Sequence, residues 1–261
     1  MYNSTFFTII VTVKNPIYVD LFTTLNSILS QKYLNCQIII KDSSTNEHVR
    51  QWVKEFESIS YHIQPDEGVY DGMNQALIIS KGEFICFLNS GDFFYDSDVL
   101  TKMNLAISNN PNKVFYFGGV RKLKSKLGYE FYPERLTRFF GFSGMVCHQC
   151  WFVCKDYYFV RNYDVKYRVD ADYHFFLRMI FFDNVPYLNT KNIIATYQGG
   201  GISATDKSEL RKELRKEIIM TVYSKYEILL FDLWKGIKRF SRTRLNNRFV
   251  RYIYLKVKLG M

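Results

Sequence analysis

Nowhere in its 261 residues does the chain place about 18 uncharged apolar residues in succession, the length a bilayer-crossing helix needs, although 48% of it is hydrophobic and 18% aromatic. A membrane-spanning helix is therefore not expected. The opening MYNSTFFTIIVTVKNP has neither a basic leading segment nor a small-residue cleavage site, so it reads as a first buried strand and not as a secretory leader. Cysteines are few and odd in number: Cys36, Cys86, Cys147, Cys150 and Cys154. Without an export signal, that count argues against a disulfide framework and for a reducing cytosol. Cys147, His148, Cys150 and Cys154 are near enough to raise a zinc site, but C-H-x-C-x3-C matches no common ligand spacing and no second Cys/His pair follows. Small apolar residues in a strand are the stronger reading. A Walker lysine motif is missing, and the triple glycine at 199–201 opens no dinucleotide fingerprint, which weighs against a P-loop nucleotidase and a dehydrogenase. The triple glycine reads instead as a flexible loop near a site.

The formal charge of +10 comes from 35 basic and 25 acidic residues, and it is unevenly spread. Lys207 to Met261 hold 15 basic and 5 acidic residues, so residues 1–206 are left with 20 of each. The body is neutral and the excess is C-terminal. Asp206 followed by Glu209 resembles a capping box with Asp206 as N-cap, which sets a boundary between a body of residues 1–205 and a helical extension of residues 206–261.

Within the body, FFTIIVTVK, CQIIIK, YHIQ and EFICFL are apolar runs of strand length. Between them lie IYVDLFTTLNSILSQ, EHVRQWVKEF and MNQALIIS, the first with apolar residues at helical spacing; Gly82 is expected to close the last as a C′ residue. This alternation predicts an α/β fold with a parallel, doubly wound sheet, because helices must cover both faces of strands that are apolar throughout. KVFYFGGV, CWFVC and NIIATY read as further strands, and VDADYHFFLRMIFF as a helix.

Ligands of such sheets bind outside the carboxyl ends of the strands, so those ends locate the site without any motif. They carry Thr12 and Lys14, then Asp42, then Asp66 and Glu67, then Asn89 and Asp92. Three of four ends thus bring carboxylates to one rim, which suits a divalent cation and, through it, a phosphate group. Ordinary turn preference explains each Asp singly. Asp170 and Asp172 form a second acidic pair; Asp170 is read first as a helix cap, and Asp172 as a carboxylate that could act as a base.

The order TIIVTVKN, LNSILSQKYLNCQIIIKDSST, PDEGVYDGMNQALIISKGEFICFLNSGD, CHQCWFV, YRVDADYHFFLR and GGGIS resembles the bacterial family 2 glycosyltransferases of GT-A fold, above all the branch that builds O-antigen, colanic acid and capsular polysaccharides. The resemblance covers residues 5 to about 205. It implies a Rossmann-like, mostly parallel sheet and an inverting, metal-dependent transfer from a nucleotide-sugar, usually a UDP-sugar, with Mg²⁺ or Mn²⁺. It implies a hexosyl or N-acetylhexosaminyl donor and a lipid-linked glycan acceptor. By position it assigns Thr12 and Asp42 to the uridine, and Asp66, Gly68, Asp71 and Asn74 to the nucleotide pocket. Met73 stands where many relatives carry Arg. In NSGD, Asn89, Ser90 and Gly91 are polar lining and a turn close to the diphosphate, and Asp92 is the one acid left for the metal. Asp172 takes the position of the catalytic base in preference to Asp170. His148 and Gln149, with Asp170 and Gly200, fall near the acceptor or diphosphate.

From Lys235 to Lys258 the chain holds nine basic residues and no acid, interleaved with aromatic and aliphatic side chains. Such a helix suits an anionic cytoplasmic leaflet, where each Lys or Arg contributes about 1 kcal/mol. No nucleic-acid-binding motif accompanies it, so nucleic acid is not the expected partner. The expectation is a peripheral protein on the inner face of the cell membrane; an extension packed on the body, or on a second copy in a homodimer, is the other account. Two further readings compete. A nucleotidyltransferase would carry a Gly-rich basic loop after its first strand, and VKNPIYVD has no glycine. A nucleotide-sugar-binding module without turnover is suggested by the thinned acidic motif.

Overall fold

The computed structural model describes residues 6–125, 127–200 and 206–244. Gly201 and the basic run beyond residue 244 lie outside the described residues. The first half alternates strands and helices: β1 (Phe7–Val13), α1 (Tyr18–Leu29), β2 (Cys36–Asp42), α2 (His48–Val53), β3 (Ile59–Ile63), α3 (Val69–Ile78) and β4 (Phe84–Phe87). These four strands are parallel, with Ile9 of β1 opposite Ile38 on one side and Cys86 on the other. The apolar runs of β1, β2 and β4 are buried on both faces, edge strand β3 is partly exposed, and α1 adds Leu21, Leu25 and Ile28 to the core.

Beyond β4 the chain forms β5 (Phe93–Phe94), α4 (Val99–Asn109), β6 (Phe115–Lys122), β7 (Tyr129–Glu130), α5 (Arg138–Ser143), a 3-10 turn at His148–Cys150, β8 (Trp151–Cys154), α6 (Lys155–Val160), α7 (Ala171–Leu177) with a π turn at Arg178–Phe182, and β9 (Tyr187–Tyr197). The nine-stranded sheet runs β3-β2-β1-β4-β8-β6-β9-β5, with β7 paired on β6. It is mixed, as expected of a mostly parallel sheet: β1 to β4 are parallel, β8 runs antiparallel to both β4 and β6, and the short β5 and β7 are antiparallel to β9 and β6. The chain enters β8 at the end where β4 leaves, so the turn before it stands on the carboxyl rim. That reversal delivers His148 and Gln149 to the site.

Two expected caps are corrected. Gly82 does not close α3, whose C-cap is Ile79 at φ −96°. Its smallness serves packing instead, because a Cβ there would meet Phe7 C and Thr8 N at 2.4 Å, and its N–H donates to Thr8 Oγ1 at 2.8 Å. Asp206 is not the N-cap of the next helix. Ser208 is: its Oγ accepts from Arg211 N at 3.2 Å, while Asp206 Oδ1 accepts from Ser208 N.

The helices that follow, α8 (Glu209–Val222) and α9 (Lys225–Arg244), begin packed on the body. Asp170 is the reason that matters most. It occupies the N-cap position of α7 but its side chain makes no capping bond. Its buried carboxylate instead accepts from Arg211 Nε (2.7 Å) and Nη2 (2.9 Å) and from Arg215 Nη1 (2.6 Å). The Arg215 guanidinium also lies 4.0 Å above the Tyr173 ring. Ile218 and Tyr223 are buried, and Arg138 pairs with Glu227.

Replacing Arg211 and Arg215 together by Ala strands a buried carboxylate and is expected to lower the unfolding free energy by about 3 kcal/mol, read by urea denaturation. Adding Asp170→Leu to that variant should recover part of the loss, since no charge is then left unpaired.

Candidate active site

The loop after β4 is shaped by a side chain from α1. Thr24, fully buried, accepts from Gly91 N at 2.9 Å and donates to the carbonyls of Asp92 (2.8 Å) and Asn89 (3.3 Å). Asp92 N closes the turn on Asn89 O at 2.9 Å. Gly91 sits in this turn at φ +94°, in the left-handed region, and a Cβ there would lie 2.2 Å from Gln198 Oε1. Position 91 therefore needs glycine twice over, for its backbone angle and for the neighbour it admits.

The turn aims Asp92 into a cleft of about 480 Å³ at the carboxyl ends of β1 and β4. One carboxylate oxygen accepts from Gln149 Nε2 at 2.8 Å and the other from Gln198 N at 2.9 Å. Burial pushes the carboxyl up to about 7 despite those two bonds, and Asp20 nearby raises it further. Each oxygen keeps a second lone pair. Thr12 and Ser90 line the same cleft, and their hydroxyl oxygens, buried within its wall, have no hydrogen-bond partner among the described residues. Buried hydroxyls left unpaired on a cavity wall suit a polar ligand.

Asp172, in the first turn of α7, lines the same cleft. It accepts from its neighbour Tyr173 N at 2.8 Å and is half-buried. Burial moves its carboxyl up to about 6, with a hydrogen-bonding interaction with Tyr70 and the Tyr173 amide opposing. Tyr70 lines the wall beside it and donates to Val169 O at 3.0 Å. His148 is buried on the rim, its Nε2 2.7 Å from Tyr163 Oη. Burial drops it to about 3, so it is neutral. Exposed Lys14 and Arg168 edge the opening, and Lys122 faces Glu130 across an ion pair.

The structure brings Thr12, Asn89, Ser90, Asp92, His148, Gln149 and Asp172 onto this one cleft. Met73 is in its wall, and Gly68 caps α3 immediately before the lining residue Val69. Other expected residues are held elsewhere by specific bonds. Asp42 accepts from Tyr61 Oη at 2.7 Å and from Ser44 N at 2.7 Å. Asp66 pairs with buried Lys41 at 3.4 Å. Asp71 caps the start of α3, accepting from Glu67 N. Asn74 clamps the backbone of Tyr163 through both its amide atoms, at 2.9 and 3.0 Å. Asp170 is bound to the two arginines, and Gly200, at φ +95°, follows the lining residue Gly199. Gln198, Tyr70 and Arg168 were not among the expected residues. Gln198 had a signal, since it directly follows β9, and pairing of β9 with β5 (Phe93 opposite Thr196) carries it to Asp92.

A sequence model of Glycosyl transferase family 2 matches residues 8–188. A PGL/p-HBAD biosynthesis glycosyltransferase of Mycobacterium bovis is 29% identical over 202 residues, covering 72% of this chain and 76% of that one. The Escherichia coli UDP-Glc:alpha-D-GlcNAc-diphosphoundecaprenol beta-1,3-glucosyltransferase WfgD is 22% identical over 197 residues, covering 73% and 77%. A crystal structure of GalNAc-T7 with UDP, GalNAc and Mn²⁺ shares the fold at TM-score 0.64 and 12% identity, over 86% of this chain and 49% of that one. This chain thus spans about half the length of that solved protein.

Gly91→Ala is expected to lower stability by about 1–3 kcal/mol in thermal unfolding, because it strains the turn and drives the Gln198 side chain away. Adding Gln198→Ala removes the clash but not the backbone strain, so recovery should be partial.

Proposed function

The chain belongs to glycosyl transferase family 2, and from that premise we propose that it moves a sugar from a UDP-activated donor to a hydroxyl of a lipid-linked glycan, inverting the anomeric carbon. The observation that carries this reading is that Asp92 and Asp172 both line one cleft at the carboxyl rim of the sheet. The donor class draws support from the UDP-containing neighbour and the acceptor class from the named activity of the Escherichia coli relative. The sugar, hexosyl or N-acetylhexosaminyl, is set by the shape of the same cleft.

Above pH 6 Asp172 is a carboxylate placed to accept the proton of an acceptor hydroxyl, as that oxygen bonds to the anomeric carbon and the bond to the nucleoside diphosphate breaks. Tyr70, beside it, fixes the wall against which the reacting ring would lie. Thr12 and Ser90 offer their unpaired hydroxyls to the nucleotide-sugar, and Lys14 and Arg168 are cations at the opening that suit its diphosphate.

A divalent cation fits Asp92 under one condition. Among the described residues no three His, Cys, Asp or Glu side chains gather to hold a metal by themselves. Asp92 can be a single anchor, because its desolvated carboxylate has free lone pairs and Mg²⁺ is commonly bound by one or two carboxylates plus substrate phosphates. When bound, Mg²⁺ or Mn²⁺ would neutralise charge on the leaving diphosphate.

Among the described residues no helix is long and apolar enough to cross a membrane. We place the protein peripherally on the cytoplasmic face of the membrane, where a lipid-linked acceptor would be met. Tyr226, Leu229, Leu230 and Leu233 make an exposed apolar stripe on α9 that leads into the basic C-terminal run.

Asp172→Asn should keep UDP binding and lower turnover by about 10²–10⁴-fold; equal loss of binding and turnover would make Asp172 a structural residue. Turnover of the native chain should fall as pH drops through about 6, because protonation removes the base, and should level off above it. UDP release from a panel of UDP-sugars with Mn²⁺ tests the whole reading. A chain that binds UDP and releases none from any donor would instead be a binding module.

A further inference from the structure

The β6–β7 hairpin presents a face that the reaction above does not use. Pairing of Arg121 with Tyr129 and of Val120 with Glu130 fixes its alternation. Lys122 and Glu130 therefore face the cleft, while Arg121, Leu123, Tyr129 and Phe131 fall on the other side. That outer side is unusually apolar for a hairpin tip: Leu127 is 86% exposed, Phe131 63%, Leu123 48% and Tyr129 43%. Polar turn residues are the usual occupants of such a tip. The tip is nonetheless well built. Lys122 N donates to Gly128 O at 2.7 Å, Gly128 N to Ser125 O at 3.1 Å, and Gly128 takes φ +67°. Tyr129 stacks near Phe131 with ring centres 6.5 Å apart and meets Tyr95 edge-on at 6.3 Å.

Basic residues accompany the apolar ones. Arg121 to Lys126 hold four cations in six residues and no acid, and Arg121 and Lys124 are exposed. The hairpin is also joined to the cleft. Leu123 N donates to Tyr197 O at 3.1 Å and Lys124 Nζ to Gly199 O at 3.2 Å, and both acceptor residues line it.

We propose that this hairpin is a membrane-contact element: Leu123, Leu127, Tyr129 and Phe131 enter the interface of an anionic bilayer, and Arg121 and Lys124 meet its headgroups. Aromatic rings beside leucines suit the zone between headgroups and acyl chains, and clustered cations suit a negative leaflet. The consequence is orientation. A hairpin whose inner face lines the cleft and whose outer face rests in the lipid interface would fix the height and orientation of the cleft relative to that surface. The inference rests on the lipid-linked acceptor proposed above, although the contact itself can be measured without any acceptor.

The test uses the full chain and vesicles of phosphatidylglycerol mixed with phosphatidylcholine. Leu127→Ser with Phe131→Ser should weaken partitioning by roughly tenfold or more, and should leave UDP binding, read by thermal shift, unchanged. Leu127→Trp should gain fluorescence quenching by brominated lipid beyond that of the native chain, and raised salt should weaken binding. Unchanged partitioning of the double Ser variant would overturn the proposal. So would a vesicle-bound Leu127→Trp protein with no added quenching, because the C-terminal helix would then hold the protein with the hairpin in water. A solution dimer that the Ser substitutions dissolve, with vesicle binding untouched, would assign the face to a second copy instead. A chain that partitions as expected but binds no UDP would sink the transferase reading and leave this one standing.

Discussion

Everything functional in this molecule depends on the chain leaving β1 and β4 in opposite directions. After β1 it crosses to β2 on one side, and after β4 it passes to β5 and the strands beyond on the other. Neighbouring strands that part in this way cannot have their carboxyl ends covered by one crossover, so a crevice opens there. Thr12 and the Asn89–Asp92 turn occupy its two lips. The reversed strand β8 then closes the far side with His148 and Gln149, and the end of β9 adds Gln198.

The two carboxylates in the cleft are kept apart in role by their surroundings. Asp92 is deeply buried, bonded by two amides and lifted to about 7; Asp172 is half-buried and lifted to about 6. Burial dominates both shifts, but their partners differ in kind. The two amides that donate to Asp92 fix the direction of its carboxylate, which suits the cation anchor proposed above. Asp172 has one backbone donor and an aromatic wall, so it is open toward an incoming hydroxyl. The Asp170 carboxylate, two residues earlier, has two arginines as partners and is thereby removed from the reaction.

Much of this was legible in the sequence where the signal is local. Four runs of strand length separated by helical segments pointed to the parallel half of the sheet, and the strand-end rule led to Thr12, Lys14, Asn89 and Asp92 on the cleft. The direction of β8 was not legible, because an apolar tetrapeptide reads the same either way and its direction is set by where the preceding chain arrives. The helix at Val99–Asn109 was missed although Val99, Leu100, Met103 and Ile107 bury one face of it. Asn74 and Asp71 carry the right chemistry for a nucleotide pocket, yet bonds to Tyr163 and Glu67 occupy them. The partner of Asn74 lies 89 residues away and leaves no trace in local pattern, whereas that of Asp71 is only four residues back. The role of Asp170 was hidden for the same reason: the arginines that hold it look, by charge count alone, like part of a basic tail.

That ion cluster also bears on the order in which the molecule is made. Arg211 follows Asp170 by 41 residues. At about 5–20 residues per second, translation takes roughly two to eight seconds to supply it. During that interval the nascent chain acquires Asp172 and then β9, the last strand of the sheet, while the N-cap position of α7 holds a charge with no counter-ion. Neutralisation of the start of α7 is thus tied to emergence of α8 from the ribosome, which acts as a latch on an element already made.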